Sequence, residues 1–535
     1  MPEMELHPYH PIIFVRGFAA TSGDIENAVA DPYMGFNERS TKSRKLWTGD
    51  VQKFFFESPL VRLMSEHGYE DTFDAGEDIL QSSRTDVAIP YRSIVVYRYY
   101  DEASKDFGTG DTPPIEHFAK GLSDLVLRLR DRICDAPGAV VKRDQFRVHL
   151  VAHSMGGLIC RAFLQNPNLG ADEARAAVEK LFTYATPHNG IDMRIVRNVP
   201  GWLSFGDANN FNRDRMSDYL AVPKSEDVSV VTGFPPERIF NLVGTNPRDY
   251  AVAKGLSAWA AGDESDGLVR IENATTHGLN YAGRDVESPR AFVHRSHSGS
   301  YGIVNSEEGY QNLTRFLFGA IRFDGFLDID DISLPPELQK AHEEGKSIKA
   351  SYQFEVAVSV RACQWQMTRR SVRENSAIFR TYDELFPGAP RTNRPPDRTR
   401  SPQLFSVYLD PQKSVMRSNS VSFSFELRVL VPDYTIGDVP FLKRHYEGSS
   451  ILQETIVVEA VPDSSALGGW KIRYGLHDTP GKAGRAVETL AVSDDRGEAL
   501  GFSIPLQQRS RPGFNGALRF EAREVGAPRN VNVQP

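Results

Sequence analysis

Apolar and polar positions change period partway along the chain. Through the first 325 residues, short β-rich runs alternate with helical stripes. "PIIFVRGF" (11–18), "SIVVYRYY" (93–100), "FRVHLVA" (146–152), "KLFTYATP" (180–187) and "RIFNLVG" (238–244) read as strands. Between them, "EHFAKGLSDLVLRLRDRI" (116–133) sets Phe118, Leu122, Leu125, Leu129 and Ile133 at helical spacing, with Val126 widening the stripe. "GLICRAFL" (157–164) reads as a second helix. Strands alternating with helices predict a parallel sheet with helices on both faces.

From residue 348 the period becomes two. "YQFEVAVSV" (352–360) places Tyr352, Phe354, Val356, Val358 and Val360 on one face, and "VSFSFELRVLV" (421–431) does the same with Val421, Phe423, Phe425, Leu427 and Val429. The pattern continues to "GALRFEAREV", and "SDDRG" (493–497) reads as a hairpin turn. Half-buried strands without helices predict an all-β, sandwich-like domain. The expected organisation is an α/β domain over 1–325, a linker over 326–347, acidic and carrying Pro335-Pro336, and a β domain over 348–535.

Composition narrows the function classes. The 535-residue chain is 40% hydrophobic and 25% charged, with a net charge of −8. This is the make-up of a folded domain protein and gives no sign of nucleic-acid binding. Cys134, Cys160 and Cys363 are too few and too scattered for a disulfide framework or a zinc cluster. The opening MPEMELHPYHP lacks a basic region followed by an apolar run, and no uncharged apolar stretch reaches the ~20 residues of a membrane span. The expected location is therefore the cytoplasm, with signal-independent export left open.

One stretch suggests chemistry. In "HLVAHSMGGLICRAF" (149–163), strand 146–152 runs into Ala152-His153-Ser154-Met155-Gly156-Gly157 and a helical pattern leaves at once. Small residues around a serine at a sharp strand-to-helix turn form the context of a nucleophile elbow. A serine hydroxyl becomes a nucleophile when a histidine takes its proton and a carboxylate orients that histidine.

Here the chain resembles the α/β-hydrolase superfamily, and its bacterial lipases and esterases in particular. "IIFVRGF" is similar to the first strand and its oxyanion loop, and "TPHNG" (186–190) to the motif after the next sheet strand. "ESDGLV" (264–269) resembles the loop that holds the acid, and "HRSHSGSYGIVNSEEGYQNLTRFLFG" (294–319) the histidine and last helix. The family order of serine, acid and histidine implies Ser154, Asp266 and His297. Asp263 and His294 stand as the alternatives for acid and base, and His153 and His188 are expected to pack around the elbow. The resemblance implies an oxyanion hole from the amides of Met155 and Phe18. Arg16-Gly17 replaces the family's His-Gly, which puts a cation near the acyl site.

The implied activity is carboxylic-ester hydrolysis through an acyl-enzyme, on lipid or acyl esters, with no metal or organic cofactor. Phospholipase and acyltransferase activities on the same fold remain alternatives, and so does an inactive hydrolase-fold binding module. Segment 191–230, with an apolar first half that includes Trp202 and Phe205, reads either as a lid or as a fixed insertion. Arg16, Trp202 and Phe205 are the candidate substrate contacts. Residues 361–400 hold nine arginines against four acids, suited to a solvated loop or to peripheral contact with a lipid interface. Oligomeric state is left open.

Overall fold

The structure, a computed structural model, describes residues 7–17, 22–80, 87–106, 108–110, 113–191, 209–247, 266, 269–281, 283–299, 301–346, 348–386, 398–410, 420–431, 434–436, 439–440, 449–465, 470–476, 487–490, 492–493, 499–508 and 513–525. The chain divides into two units: Met1–Arg290 with His294–Phe318, and Ala291–Val293 with Gly319–Pro535.

The strands relevant to the site are β1 (Ile12–Val15), β2 (Ser40–Lys45), β3 (Val51–Phe56), β4 (Glu70–Asp71), β5 (Ser93–Val96), β6 (Val148–His153), β7 (Val178–Tyr184), β8 (Val230–Val231), β9 (Ile239–Gly244), β10 (His277–Leu279), β11 (Asp285–Glu287) and β12 (Arg290–Val293). The helices are α1 (Ile115–Cys134), α2 (Met155–Gln165), α3 (Arg213–Leu220) and α4 (Glu307–Phe318). A seven-stranded sheet runs in the order β12-β9-β7-β6-β1-β5-β4. β1 pairs in parallel with β5 and β6, β6 with β7, β7 with β9, and β4 with β5.

The cause lies in the sequence. Every residue of β6 is buried, as expected of a strand covered on both faces. On α1 the expected stripe is the buried one: Phe118, Leu122, Leu125, Val126, Leu129 and Ile133. This is an α/β-hydrolase fold. The site residues gather at the carboxyl ends of β1, β6 and β9, where open α/β sheets place their ligands. Among the described residues, no helix is long and apolar enough to cross a membrane.

The second unit is antiparallel. β13 (Ile321–Ile332) pairs with β15 (Gln403–Leu409) and β20 (Phe514–Glu524), and β20 pairs with β19 (Leu500–Gln508). After helix α5 (Pro336–Glu343), β14 (Ile348–Val360) pairs with β16 (Val421–Val431), β16 with β17 (Ser449–Pro462), and β17 with β18 (Trp470–Leu476). The two sheets share one core. Phe323 meets Phe423 at 5.5 Å between ring centroids, and Phe405 meets Phe425 at 5.6 Å. The period-two residues of β14 and β16 are the ones that face this core.

Two expectations need correction. Residues 326–347 are not a linker. They contain the second half of β13, a core strand, and α5, whose Leu338 and Ala341 are buried. Two of the acids in and just before this segment, Asp324 and Asp328, are buried and paired within the unit, while Glu337, Glu343 and Glu344 are exposed. Asp324 accepts from Arg322 Nε at 3.0 Å and Ser406 Oγ at 2.5 Å, and Asp328 takes Arg519 Nε at 3.1 Å. Nor is stretch 361–400 simply a solvated loop. Residues 368–370 and 378–381 pair with β14, and Arg370 Nε donates to the Ser376 carbonyl at 2.7 Å. The expected turn at 493–497 lies largely outside the described residues, but Val492 and Ser493 pair antiparallel with Gly501 and Leu500 on its far side.

Candidate active site

Ser154 sits between the end of β6 and the start of α2 with φ 53° and ψ −127°. A residue with a Cβ rarely adopts a positive φ. Here the sharp turn lifts the hydroxyl clear of both flanking elements. Tight neighbours hold the turn. The Ser154 amide donates to the Tyr184 carbonyl on β7 at 2.9 Å. A Cβ on Gly156 would lie 2.3 Å from the Val15 carbonyl oxygen, and one on Gly157 would lie 2.2 Å from Thr186 Oγ1. The glycines after the serine are therefore required by the approach of β1 and of the "TPHNG" loop.

The structure brings Ser154, His297 and Asp266 together. His297 Nε2 lies 2.9 Å from Ser154 Oγ, and His297 Nδ1 lies 2.9 Å from Asp266 Oδ2. All three side chains are buried. Asp266 is fixed through its other oxygen, which accepts the Val269 amide at 2.8 Å, and its carbonyl accepts the His297 amide at 3.0 Å. With Nδ1–H donated to a carboxylate, Nε2 is left to accept the serine proton. The alternative base, His294, is exposed. The alternative acid, Asp263, lies outside the described residues.

His153 lies one residue before Ser154, and its Nε2–H donates to the His297 carbonyl at 3.0 Å. Burial, together with the nearby His297 and Arg16, holds its pKa well below the ordinary value, so it stays neutral and acts as a fixed donor. His188 is likewise neutral through burial and the adjacent Arg161. Both therefore pack around the elbow.

Met155 opens α2, where an amide has no carbonyl one turn earlier to bond within the helix. Phe18, the second expected oxyanion donor, lies outside the described residues, as do Trp202 and Phe205. The loop that leads to Phe18 is well braced. Tyr99 Oη donates to the Arg16 carbonyl and Tyr100 Oη to the Gly17 carbonyl, each at 2.8 Å. The Arg16 guanidinium donates to the Met34 carbonyl. Of the expected lid segment, 192–208 lies outside the described residues. The remainder includes α3, which is capped by Asn212 and buries Met216, Tyr219 and Leu220, so this part is a packed insertion.

Three contributors escaped the sequence reading. Gly244 ends β9 where a Cβ would meet Asp266 Cβ and the Arg295 carbonyl oxygen, each at 2.7 Å. Arg295, two residues before His297, is buried against Glu308 on α4 with Nη2 to Oε2 at 2.8 Å. Burial opposes ionisation of Glu308, but Arg295 and Lys42 outweigh it and hold the carboxyl below its usual range. Arg161 on α2 is fully buried. It donates to the carbonyls of His188 at 2.8 Å, Val228 at 2.9 Å and Val230 at 2.9 Å. Its only sequence signal is an arginine inside the apolar run "GLICRAFL".

Comparisons with known proteins bear on this segment. No curated protein sequence matches the chain. Several solved structures are similar at low identity. The Bacillus licheniformis lipase BlEst2 is 15% identical over 57% of this chain and 91% of its own, with a TM-score of 0.29. Phospholipase PlaB from Legionella pneumophila is 13% identical over 78% of this chain and 86% of its own, with a TM-score of 0.32. Lipase 1 from Pelosinus fermentans is 14% identical over 58% and 98%, with a TM-score of 0.27. Residues 131–229, which carry the elbow, match the family described as the PGAP1-like alpha/beta domain, a branch of the α/β-hydrolase superfamily whose sheet and elbow the first unit displays.

Proposed function

We propose that the chain is a serine hydrolase of acyl esters, with lipid esters as its substrate class. The observation that carries this reading is the unbroken relay from Ser154 Oγ through His297 to Asp266, two hydrogen bonds of 2.9 Å on a strained elbow. Ser154 Oγ attacks the ester carbonyl carbon as its proton passes to His297 Nε2. The new oxyanion accepts the Met155 amide and, by resemblance, the Phe18 amide. One such donor is worth roughly 100- to 1000-fold in rate. Collapse of the intermediate breaks the C–O bond, and His297 gives the proton to the departing alcohol. Water then attacks the acyl-enzyme with His297 as base, which releases the acid and restores Ser154. Asp266 orients His297 and stabilises the imidazolium that forms.

The test is mass spectrometry after exposure to a fluorophosphonate, with Ser154→Ala alongside. The expected result is a single adduct on Ser154 that is missing in the variant. Turnover of a graded ester series would then fix the acyl length. Folded protein that takes up no adduct, with and without mild detergent, would sink the proposal in favour of a binding module.

A further inference from the structure

The hairpin of β2 and β3 stands apart from the sheet. Its strands form a two-stranded sheet of their own, in register from Ser40↔Phe56 to Lys45↔Val51. Its outer half is exposed, with Trp47 at the turn 97% exposed, and Phe55, opposite Thr41 near the base, is 75% exposed. Leu46 and Val51 flank the turn and are also exposed. The turn is a defined one: the Leu46 amide donates to the Asp50 carbonyl at 2.8 Å, and Gly49 takes φ +94°. A lone two-stranded hairpin is marginal in water. This one is fixed at its base. Arg295 Nη1 donates to the Thr41 carbonyl at 3.1 Å, Ser40 donates to the Asn305 carbonyl, and Lys42 pairs with Glu308. A stalk fixed at its base therefore holds an apolar tip in solvent, and Trp47, left exposed, contributes no burial to the fold.

Charge identifies the occupant. Between residues 40 and 56 there are four cations (Lys42, which pairs with Glu308, and Arg44, Lys45 and Lys53) and one acid, Asp50, on a chain of net charge −8. The pleat places Phe55, Lys53 and Val51 on one face of β3, with Lys45 opposite Val51. Tryptophan at a projecting tip with lysines behind it suits the boundary between lipid headgroups and acyl chains, with the ammonium groups on phosphates. A convex tip of a few residues offers far less than the ~800 Å² per partner of a stable protein interface. We propose that this hairpin docks the protein on an anionic phospholipid bilayer, with Leu46 and Trp47 at headgroup depth and Lys45 and Lys53 on lipid phosphates.

Docking is read by binding, not turnover, so it stands or falls apart from the hydrolase proposal. The experiment uses full-length Ser154→Ala protein with vesicles of phosphatidylcholine alone and of phosphatidylcholine with phosphatidylglycerol. The expected result is co-sedimentation with the anionic vesicles that weakens as salt rises. A blue shift of tryptophan emission, quenched by brominated acyl chains, should accompany it and vanish in Trp47→Phe. Trp47→Ala should lower partitioning about tenfold, from the lost apolar contact. Each cation near an anionic surface is worth about fivefold, so Lys45→Ala with Lys53→Ala should lower it about 25-fold. In a Ser154 background, both sets should leave turnover of a short soluble ester unchanged. Failure of folded protein to bind, or binding equal in all variants, would overturn the proposal. A dimer that Trp47→Ala dissolves, without vesicle binding, would assign the tip to a second copy instead. Binding without turnover would remove the hydrolase reading and leave the docking intact.

Discussion

Gly17 shows how closely Ser154 is packed. A Cβ there would lie 2.4 Å from Ser154 Cβ and 2.7 Å from the His153 carbonyl oxygen. Neither neighbour has room to move. Ser154 is held in a strained turn, and His153 ends the central strand with its ring bonded to the His297 carbonyl. Gly17→Ala therefore pushes either the first loop or the nucleophile off its position. A displacement near 1 Å at the reacting atoms can cost about 100-fold, so kcat on a soluble ester should fall by about that factor. Overpacking should also lower stability by about 1–3 kcal/mol. Steady-state kinetics and thermal unfolding would read both effects. A folded variant with wild-type kcat would mean that the first loop does not set the nucleophile's position.

At the scale of elements, Arg161 joins what the sheet alone does not. It leaves α2 two turns after Ser154 and bonds carbonyls of the "TPHNG" loop and of the segment entering β8. Burial lowers its pKa to about 10, which still leaves it charged at neutral pH. Arg161→Met removes the charge but leaves the buried carbonyls of His188 and Val228 short of a donor, while Val230 keeps Gln165 Nε2, at a cost of about 3 kcal/mol. Denaturant unfolding would measure it, and a loss below about 1 kcal/mol would show that water replaces the guanidinium. The same scale explains what was legible in the sequence. Ser154, Asp266 and His297 could be singled out because each lies in a local motif that resembles the family's, in the family's order. Gly244 against Asp266, and Arg295 against Glu308, were not, because their meaning arises only when separate loops converge. β13 was misread for a related reason. Ile321, Phe323, Leu327 and Ile329 keep a period of two, but Asp324 and Asp328 resemble a solvated run until Ser406 and Arg519 arrive from distant strands. The β2–β3 hairpin gave no signal, since its exposed apolar residues follow no burial pattern.

Across the whole molecule, buried histidines are unevenly shared, and this makes the two units respond differently to acid. His10, His149, His153 and His188 are all buried in the first unit. Burial is the leading cause that lowers each pKa, to about 3 for His10 with help from His7, Lys180 and Arg147. The unfolded chain binds these protons near pH 6.5 and the native state does not. Stability is therefore complete above pH 6.5 and is lost as pH falls below it, by about 1.4 kcal/mol per pH unit for each fully titrating group. His277 works in the opposite direction. Partial burial disfavours its charge, but Asp285 at 3.0 Å and Asp227 at 3.1 Å outweigh this and raise its pKa. Its contribution is present in acid and lost as pH rises, so it acts against the four. Among the described residues, the second unit holds one histidine, the half-buried His342. Between pH 6 and pH 5 the ordinary carboxylates of the unfolded chain remain ionised, so histidine dominates the difference. Peptide-level hydrogen exchange, corrected for intrinsic rates, should show protection of β6 and β7 falling over that interval while β14 and β16 hold theirs. Equal loss in both units would mean that acid acts through something other than these four rings.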